Sequence, residues 1–439
     1  MKIINNIKFI SIAVFGLLLY SCDFDNGTDL NGPSVDAIAN NPSRGDIASL
    51  AAGVQSDMRV RLGTYLDDCG VVGREYWRFA SSDPRFTADL LGSGSSVLDN
   101  NTFYTTAPWG ARYRTVKSTN ILIAAAANAT TAGFSPAELS SINGFAKTIQ
   151  AYELLMNLNL QFQNGIRVDV SDINNLGAFL GYPESLTAIK ALLDGGAADL
   201  TNGGSKFPFK LSDGFNGFDT PANFKKFNRA LAARVALYQG DKTNALSALS
   251  ESFFDLNGSM TGGVYYVFAN SGNDIANPVF NALNSSTAGA RIVQPSFITD
   301  AELGDLRLNK VVQRDAPLTL DGLTGNYDAW VFTSNDAPIP IIRNEELILI
   351  YAEANIGTNL VQSLAAINKV RNIAGLTPYA GATDNASLLN EVLHERRYSL
   401  YAEGHRWIDM RRTGKLAQLP LDRPGDDVWE QFPRPLTEN

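Results

Sequence analysis

One segment near the start of the chain combines aromatic rings with charged side chains. Pyranose rings have apolar C–H faces that pack on aromatic rings, and their hydroxyl groups need Asp, Asn, Gln or Arg as hydrogen-bond partners. Aromatic and charged residues in one loop therefore predict a sugar-binding platform. The residues of this segment that we predict to bind a ligand are Tyr76, Trp77, Arg78, Asp83 and Arg85. Tyr327 and Trp330 form a second candidate platform further along the chain.

Each of these platforms has an alternative interpretation. A tryptophan ring in a long loop also serves to hold that loop together, because the ring buries a large apolar area. Trp77 and Trp330 could therefore pack inside folded loops and contact no ligand. The sequence gives no basis for assigning Trp429, near the end of the chain, to either role.

Residues suited to catalysis are few. The 439 residues include two histidines and two cysteines, which excludes a multi-histidine metal centre and a disulfide scaffold. His394-Glu395 lacks the second histidine of a zinc-protease motif. A glycosidase needs only two carboxylates, and the sequence leaves that arrangement open. We predict no catalytic residue, no metal ligand and no cofactor, with a structural calcium ion left open.

The densest group of charges, residues 403–412, invites a catalytic interpretation, but its spacing favours a structural one. On a helix, His405 and Asp409 lie four positions apart, and Arg406 and Arg412 each lie three positions from Asp409. Side chains at these spacings share one helix face and form ion pairs and hydrogen bonds. We therefore predict that this group stabilises the scaffold.

Composition narrows the class of protein. The chain is 45% hydrophobic and 10% aromatic, which is enough apolar surface to form a core and excludes a disordered chain. Its formal net charge is −9. An acidic chain has no means of neutralising a phosphate backbone, so no nucleic-acid partner is predicted.

The first residues resemble a bacterial lipoprotein signal peptide. A basic start precedes the apolar run 9–20, which is too short to span a bilayer. Residues 19–22, Leu-Tyr-Ser-Cys, then resemble a lipobox. We predict a signal peptide over residues 1–21 and lipidation of Cys22. The alternative is an ordinary signal peptide with an incidental cysteine.

The residues after the cysteine are polar, acidic and rich in glycine, so they cannot contribute to a core. Residues 22–40 are therefore predicted to form a flexible tether, and residues 41–439 a single body. With Cys22 lipidated, Cys69 is the remaining thiol and has no partner for a disulfide. We predict that Cys69 is buried and inert.

Helical patterns dominate this body and occur in pairs. Apolar residues recur at steps of three and four, which is typical of amphipathic helices. The helices predicted in this way span residues 137–160, 224–238, 243–254 and 344–356, with a further helix capped by Ser363. Two antiparallel helices in about 34 residues is the tetratricopeptide spacing. The fold class is therefore mainly α, with degenerate helical repeats.

Three stretches between the helices are predicted to be long irregular loops, at residues 66–108, 258–279 and 321–336. Only a short strand is expected among them, at 264–268. Long loops are usually functional or disordered, and the aromatic residues in these loops argue against disorder. We interpret them as binding loops on a helical scaffold.

Two blocks in the second half of the chain resemble a known family. Residues 339–376 contain PIIRNEELILIYAEANIG and LAAINKVRNIAGL, and residues 391–414 read EVLHERRYSLYAEGHRWIDMRRTG. Together they are similar to the C-terminal signature of the SusD/RagB family of Bacteroidota outer-membrane lipoproteins. Weaker likenesses, including the segment around Trp109, extend the resemblance over residues 40–439. Since Trp109 and Trp407 lie in matching scaffold segments, both are predicted to be core residues.

The resemblance implies a fold and a function. It implies about four tetratricopeptide-like helix pairs with a few short strands, divided into a loop-rich part (41–270) and a signature part (271–439). It also implies a cell-surface lipoprotein of the outer membrane that binds an oligosaccharide or polysaccharide. The implied partner is a SusC-like TonB-dependent transporter, which this protein would cover. The implied process is nutrient uptake in polysaccharide utilisation.

Two other functions stay open at this point. The same architecture could bind oligopeptides or another nutrient, as some RagB-like members do. A lipid-anchored hydrolase is more remote, because no catalytic motif supports it. The sequence does not identify the glycan, its linkage or the number of binding sites.

Overall fold

A computed structural model describes residues 41–272 and 274–438. The predicted signal peptide, the lipidation site Cys22 and the tether 22–40 lie outside these residues. Within the described ranges, no helix combines the length and the apolar character needed to cross a membrane.

Helices supply most of the secondary structure. Their bounds are α1 Arg44–Asp57, α2 Leu62–Val72, α3 Phe103–Asn128, α4 Pro136–Gln161, α5 Tyr182–Thr201, α6 Pro221–Tyr238, α7 Lys242–Ser250, α8 Ser296–Thr299, α9 Asn344–Ala354, α10 Leu360–Ile373, α11 Asn385–Ser399 and α12 Arg406–Arg412. From α3 to α7 each helix packs on the next one along the chain, and α9 packs against α6, α7, α10 and α11. This is the predicted stack of helix pairs.

Helix α4 shows why local sequence specifies these elements. Ser135 accepts a hydrogen bond from the backbone N–H of Glu138, whose carboxylate accepts one from the backbone N–H of Ser135 in return. Pro136 occupies the first turn, where its missing N–H costs nothing. The helix predicted over 137–160 is confirmed, with one further residue at each end.

The start predicted for the helix after α9 is wrong. Asn359, not Ser363, caps α10, because the Asn359 side chain accepts the backbone N–H of Gln362. Ser363 lies one turn inside the helix, where its hydroxyl donates to the carbonyl of Ala352 at 3.0 Å. The predicted helix 243–254 also ends early, at Ser250.

Within the described residues, eight short strands form three antiparallel sheets. They are β1 Tyr76–Arg78, β2 Ile166–Arg167, β3 Phe179–Leu180, β4 Gly263–Tyr266, β5 Arg291–Val293, β6 Val311–Leu320, β7 Leu323–Ala329 and β8 Ile339–Arg343. The largest sheet has the order β1-β5-β7-β6, and β2-β3 and β4-β8 pair separately. The strand predicted over 264–268 is confirmed as β4, although it begins and ends slightly earlier.

Two of the predicted loops are partly regular. Residues 66–72 belong to helix α2 and residues 103–108 to helix α3. The predicted loop 321–336 contains strand β7, which pairs with β6 across a two-residue turn at Asp321 and Gly322. Both turn residues have positive φ, 49° and 78°, which is the conformation that matches strand twist in a tight hairpin.

Residues 420–429 cross the molecule and join the signature part to the loop-rich part. Arg74 is fully buried, and its guanidinium donates to the carbonyls of Pro420 at 3.1 Å and Leu91 at 3.2 Å. The indole of Trp407 donates to the carbonyl of Trp429 at 2.7 Å. The fold therefore closes through contacts between distant parts of the sequence.

The charged residues of the family signature form a buried network, as predicted. Arg412 pairs with Asp409 at 2.9 Å, and Arg396 pairs with the other oxygen of Asp409 at 2.6 Å. The predicted pairing of Arg406 with Asp409 is wrong, because Arg406 donates to the carbonyl of Gly73. Glu403 pairs with Arg343. These contacts support the structural interpretation of residues 403–412.

Replacement of either of two glycines by alanine is expected to change the stability of the protein in opposite directions. Gly53 lies on the exposed face of α1, where an added Cβ would meet open space, so Gly53→Ala is expected to raise the free energy of unfolding by about 0.5–1 kcal/mol. In β7, a Cβ on Gly325 would lie 2.3 Å from Ile292 Cγ2, so Gly325→Ala is expected to destabilise the sheet. Urea unfolding of both variants measures this, and equal shifts would contradict it.

Candidate functional site

Both predicted platforms adjoin the four-stranded sheet, although they are far apart in sequence. Ile292 of β5 pairs with Trp77 on one side and with Asp328 on the other. Because neighbouring strands lie about 4.8 Å apart, Trp77 and Asp328 are about 10 Å apart across the sheet. We call the surface formed by residues 78–86, 277–290 and 327–330 the loop face.

Tyr76 and Trp77 lie in the core beneath this face. They are 1% and 3% exposed. The Tyr76 hydroxyl donates within α2, to the carbonyl of Leu66, and burial raises its pKa well above the usual value. The Trp77 indole donates to Asp422 at 2.7 Å. Rings with no free face cannot stack on a sugar, so we interpret both as scaffold residues. This corrects their predicted contact with a ligand.

Arg78, Asp83 and Arg85 lie nearer the surface. Asp83 and Arg85 pair with each other, Arg78 pairs with Asp67 at 3.5 Å, and each arginine lies beside a phenylalanine ring. The Arg85 guanidinium donates two hydrogen bonds of 2.8 Å to the Asp83 carboxylate. These bonds lower the pKa of the Asp83 carboxyl. The Arg85 guanidinium lies 4.8 Å from the ring centre of Phe103. Arg78 lies 5.4 Å from the ring centre of Phe86. Cation–π contacts therefore organise this edge of the loop face.

Tyr327 and Trp330 lie at the end of β7 and are both half-buried. Phe280 packs on Trp330 with ring centres 5.9 Å apart. The backbone N–H of Trp330 donates to the carbonyl of Lys310 at 2.8 Å, which fixes the position of the residue. Since Tyr327 is on a strand and Trp330 directly follows it, a rigid element positions both rings.

Hydrogen bonding distinguishes Trp330 from the other four tryptophans. The indole N–H groups of Trp77, Trp109, Trp407 and Trp429 all donate to protein oxygens. Among the described residues, Trp330 has no acceptor for its indole N–H, and Tyr327 has no partner for its hydroxyl. These two polar groups are free to meet a ligand. Trp109 and Trp407, predicted to be core residues, are 6% and 0% exposed.

Segment 277–290 links the two clusters of the loop face. The Asn281 amide donates to the carbonyl of Gly289 at 2.9 Å, and Arg78 donates to the same oxygen. Phe280, which packs on Trp330, is the neighbour of Asn281. The structure thus connects Arg78 of the first predicted platform with Trp330 of the second through this segment, whereas Tyr76 and Trp77 stay in the core.

Sequence reasoning missed Phe280 and Asn281. The only local signal was a phenylalanine between asparagines in the run Asn277-Pro-Val-Phe-Asn281, which is typical of many loops. Phe280 packs on Trp330, 50 positions away, and Asn281 shares the Gly289 carbonyl with the distant Arg78. No local pattern encodes such contacts.

One cluster of carboxylates has the spacing of a metal site. Ligand atoms of Glu302, Glu391 and Glu395 lie within 4.8 Å of one another. Arg371 donates to all three, at 2.6, 2.6 and 3.1 Å. A guanidinium already supplies the positive charge that a cation would bring, so we interpret this cluster as an ion-pair network. Cys69 is fully buried, as predicted, and burial raises its pKa.

A stack of helix pairs that carries a loop-built surface defines a tetratricopeptide-like scaffold protein. The profile of the SusD family matches residues 295–427. A SusD-like protein of Formosa agariphila is 28% identical over 118 residues, which cover 24% of this chain and 24% of that relative. The match therefore spans about a quarter of the curated relative.

Solved structures share the fold over nearly the whole body. A SusD superfamily protein from Bacteroides vulgatus has a TM-score of 0.70 at 15% identity, covering 90% of this chain and 96% of that chain. Surface glycan-binding protein A from Bacteroides uniformis has a TM-score of 0.68 at 16% identity, covering 90% and 97%. A laminarin binding SusD-like protein has a TM-score of 0.62 at 18% identity, covering 91% and 97%.

The predicted family resemblance and the predicted mainly α, tetratricopeptide-like fold are confirmed. The chain is therefore similar to SusD family proteins in its profile-matched segment and in its fold. The residues of the profile match include α9 to α12, which carry the buried charge network, so the most recognisable part of the sequence is also the part with the densest internal ion pairing.

Proposed function

We propose that this protein is a cell-surface lipoprotein that binds glycans without converting them. It is anchored to the outer membrane through Cys22 and delivers oligosaccharides to a SusC-like TonB-dependent transporter. The observation that carries the proposal is the free polar edge of Trp330 and Tyr327 on the loop face of a SusD-like scaffold.

The chemistry of the loop face supports a sugar ligand. Half-buried rings at Phe280 and Trp330 offer apolar surface for a pyranose C–H face, and the free indole N–H and the Tyr327 hydroxyl offer hydrogen bonds to its hydroxyls. Asp83 and Arg85 supply a charged rim. We assign the platform to Tyr327, Trp330 and Phe280. Two structural neighbours are described as laminarin binding and as surface glycan-binding.

The experiment is affinity electrophoresis of the protein against a panel of polysaccharides, with analysis of released sugar. We expect retardation by one class of glycan and no release. Trp330→Ala should weaken binding to that glycan by at least about tenfold, because a central aromatic anchor typically dominates a binding surface. Trp330→Phe, which keeps a ring but lacks the N–H, should have an intermediate effect.

Tyr379→Ala is the matched control, because it removes a half-buried ring between α10 and α11, away from the loop face. It should bind as the parent does. If Trp330→Ala folds and binds as tightly as the parent, the platform is wrongly assigned. Released sugar would disprove the absence of enzymatic activity, and binding of peptides alone would favour the oligopeptide alternative.

A further inference from the structure

A large cleft among the described residues lies away from the loop face. It has a volume of about 970 Å³ and runs along α3, opposite the loop that joins β2 to β3 and the turn at 436–438. We call it the α3 cleft. None of the residues assigned to the glycan platform lines it. A cleft of this size is within the range of small-molecule sites.

The walls of the α3 cleft are mainly aliphatic. Helix α3 contributes Ile121, Ile123, Ala124 and Ala127, and the facing loop contributes Val170, Ile173 and Leu176. Ile173 is 72% exposed and Leu176 is 43% exposed. Side chains of this type usually pack against something, and several of them facing one cleft indicate a surface that an apolar group fills.

Most polar atoms of the walls are already used inside the protein. The Tyr113 hydroxyl donates to the carbonyl of Arg167 at 2.7 Å and accepts from its backbone N–H at 3.0 Å. The Trp109 indole donates to Glu438, which also pairs with the Arg167 side chain. A ligand rich in hydroxyl groups would find few partners here, so the cleft suits a different chemistry from the loop face.

The free polar groups on the α3 wall are donors. Lys117 has no ion-pair or hydrogen-bond partner among the described residues. The side-chain oxygen of Asn120 accepts a hydrogen bond from Gln150 at 2.8 Å. Its amide nitrogen has no acceptor among the described residues. Lys117 and Asn120 are three positions apart and therefore share a helix face. The exposed Lys117 ammonium suits a carboxylate, and beside it Asn120 keeps a buried amide N–H without an acceptor among the described residues.

We propose that the α3 cleft binds an amphiphile that has an acyl chain and an anionic head. The head contacts Lys117, and the chain lies along the aliphatic wall toward Ala127. From Lys117 to Ala127 the helix extends about 15 Å, so a chain of medium length fits. This site is independent of the glycan platform in position and chemistry.

The test is calorimetric titration with sodium dodecanoate, below its micelle concentration, and with the uncharged alcohol dodecanol. Ala124 is exposed on α3, so Ala124→Trp fills the cleft without disturbing the core. It should weaken binding of both probes at least tenfold. Lys117→Gln should weaken dodecanoate binding about two- to fivefold, as expected for an exposed charge pair, and leave dodecanol binding unchanged.

Lys226→Gln is the matched control, since Lys226 is an exposed lysine on α6 outside the cleft; it should bind both probes as the parent does. Glycan binding should be unaffected in every variant. The proposal is overturned if the parent binds neither probe, or if Ala124→Trp binds dodecanoate as tightly as the parent. It is also overturned if Lys117→Gln and Lys226→Gln behave alike.

Discussion

Glu346→Gln is expected to lower the free energy of unfolding at neutral pH by about 3 kcal/mol. Arg234 and Glu346 form a two-pronged ion pair with contacts of 2.7 and 2.6 Å, and their side chains are 6% and 2% exposed. The variant keeps the shape of the side chain but leaves the Arg234 charge buried without its counter-charge. Urea unfolding followed by circular dichroism measures the loss.

The effect of Glu346→Gln should depend on pH. Burial alone would raise the pKa of Glu346, but the charges of Arg234, His405 and Arg396 outweigh burial and hold it at about 2, against 4.5 in the unfolded chain. Between these values the unfolded state binds more protons. The stabilisation is therefore complete above pH 4.5 and is lost as the pH falls toward 2. The difference between parent and variant should narrow over that window.

Glu251→Gln provides the control, because Glu251 pairs with Lys225 only at 3.7 Å and is half exposed. Its loss should cost less than about 0.5 kcal/mol at any pH. A Glu346→Gln variant that is no less stable than Glu251→Gln, or whose deficit is the same at pH 3 and pH 7, would contradict the role assigned to the buried pair.

Trp407→Ala is expected to cost about 3–5 kcal/mol, because it removes a fully buried ring and leaves a cavity. The ring packs edge-on against Phe432 with centres 5.7 Å apart, and the Arg411 guanidinium lies 4.5 Å from it. Trp407→Phe should cost less, about 1–3 kcal/mol, because it retains most of the packing but leaves the carbonyl of Trp429 without its donor.

Leu303→Ala is the comparison for this series, since Leu303 is fully exposed and its removal should leave stability unchanged. Thermal and urea unfolding of the three variants gives the ranking. If Trp407→Ala unfolds at the same urea concentration as Leu303→Ala, the packing of residues 429–432 on Trp407 contributes nothing to stability.

Local signals explain which parts of the fold were predictable. Helix α4 followed from Ser135, Pro136 and the apolar spacing, all within one stretch. Two further local signals lie in the sequence where the predicted elements differ from the structure. Asp321-Gly322 between alternating residues is a strong hairpin signal, and Asn359 followed by Gln362 is typical of a helix start. Strand β7 and the start of α10 are therefore encoded locally in the sequence.

The candidate site was less predictable for a different reason. The local sequence around Trp77 resembles that around an exposed platform, yet the ring is buried and its indole donates to Asp422, 345 positions away. The free indole of Trp330 is likewise defined by the lack of a distant acceptor in the described part of the chain. Residue types indicated the chemistry of the loop face, but long-range packing decides which rings are available for it.

The path of residues 420–429 has a consequence for the order in which parts of the chain can fold. Arg74 and Trp77 lie early in the sequence and are buried in the fold, yet their hydrogen-bond partners, Pro420 and Asp422, lie near its end. During synthesis the first part of the chain would hold an uncompensated arginine and an unpaired indole until those late residues arrive. The loop-rich part therefore folds stably only after residues 420–422 have been synthesised. A ribosome-bound or exported fragment that lacks these residues remains a substrate for chaperones and proteases.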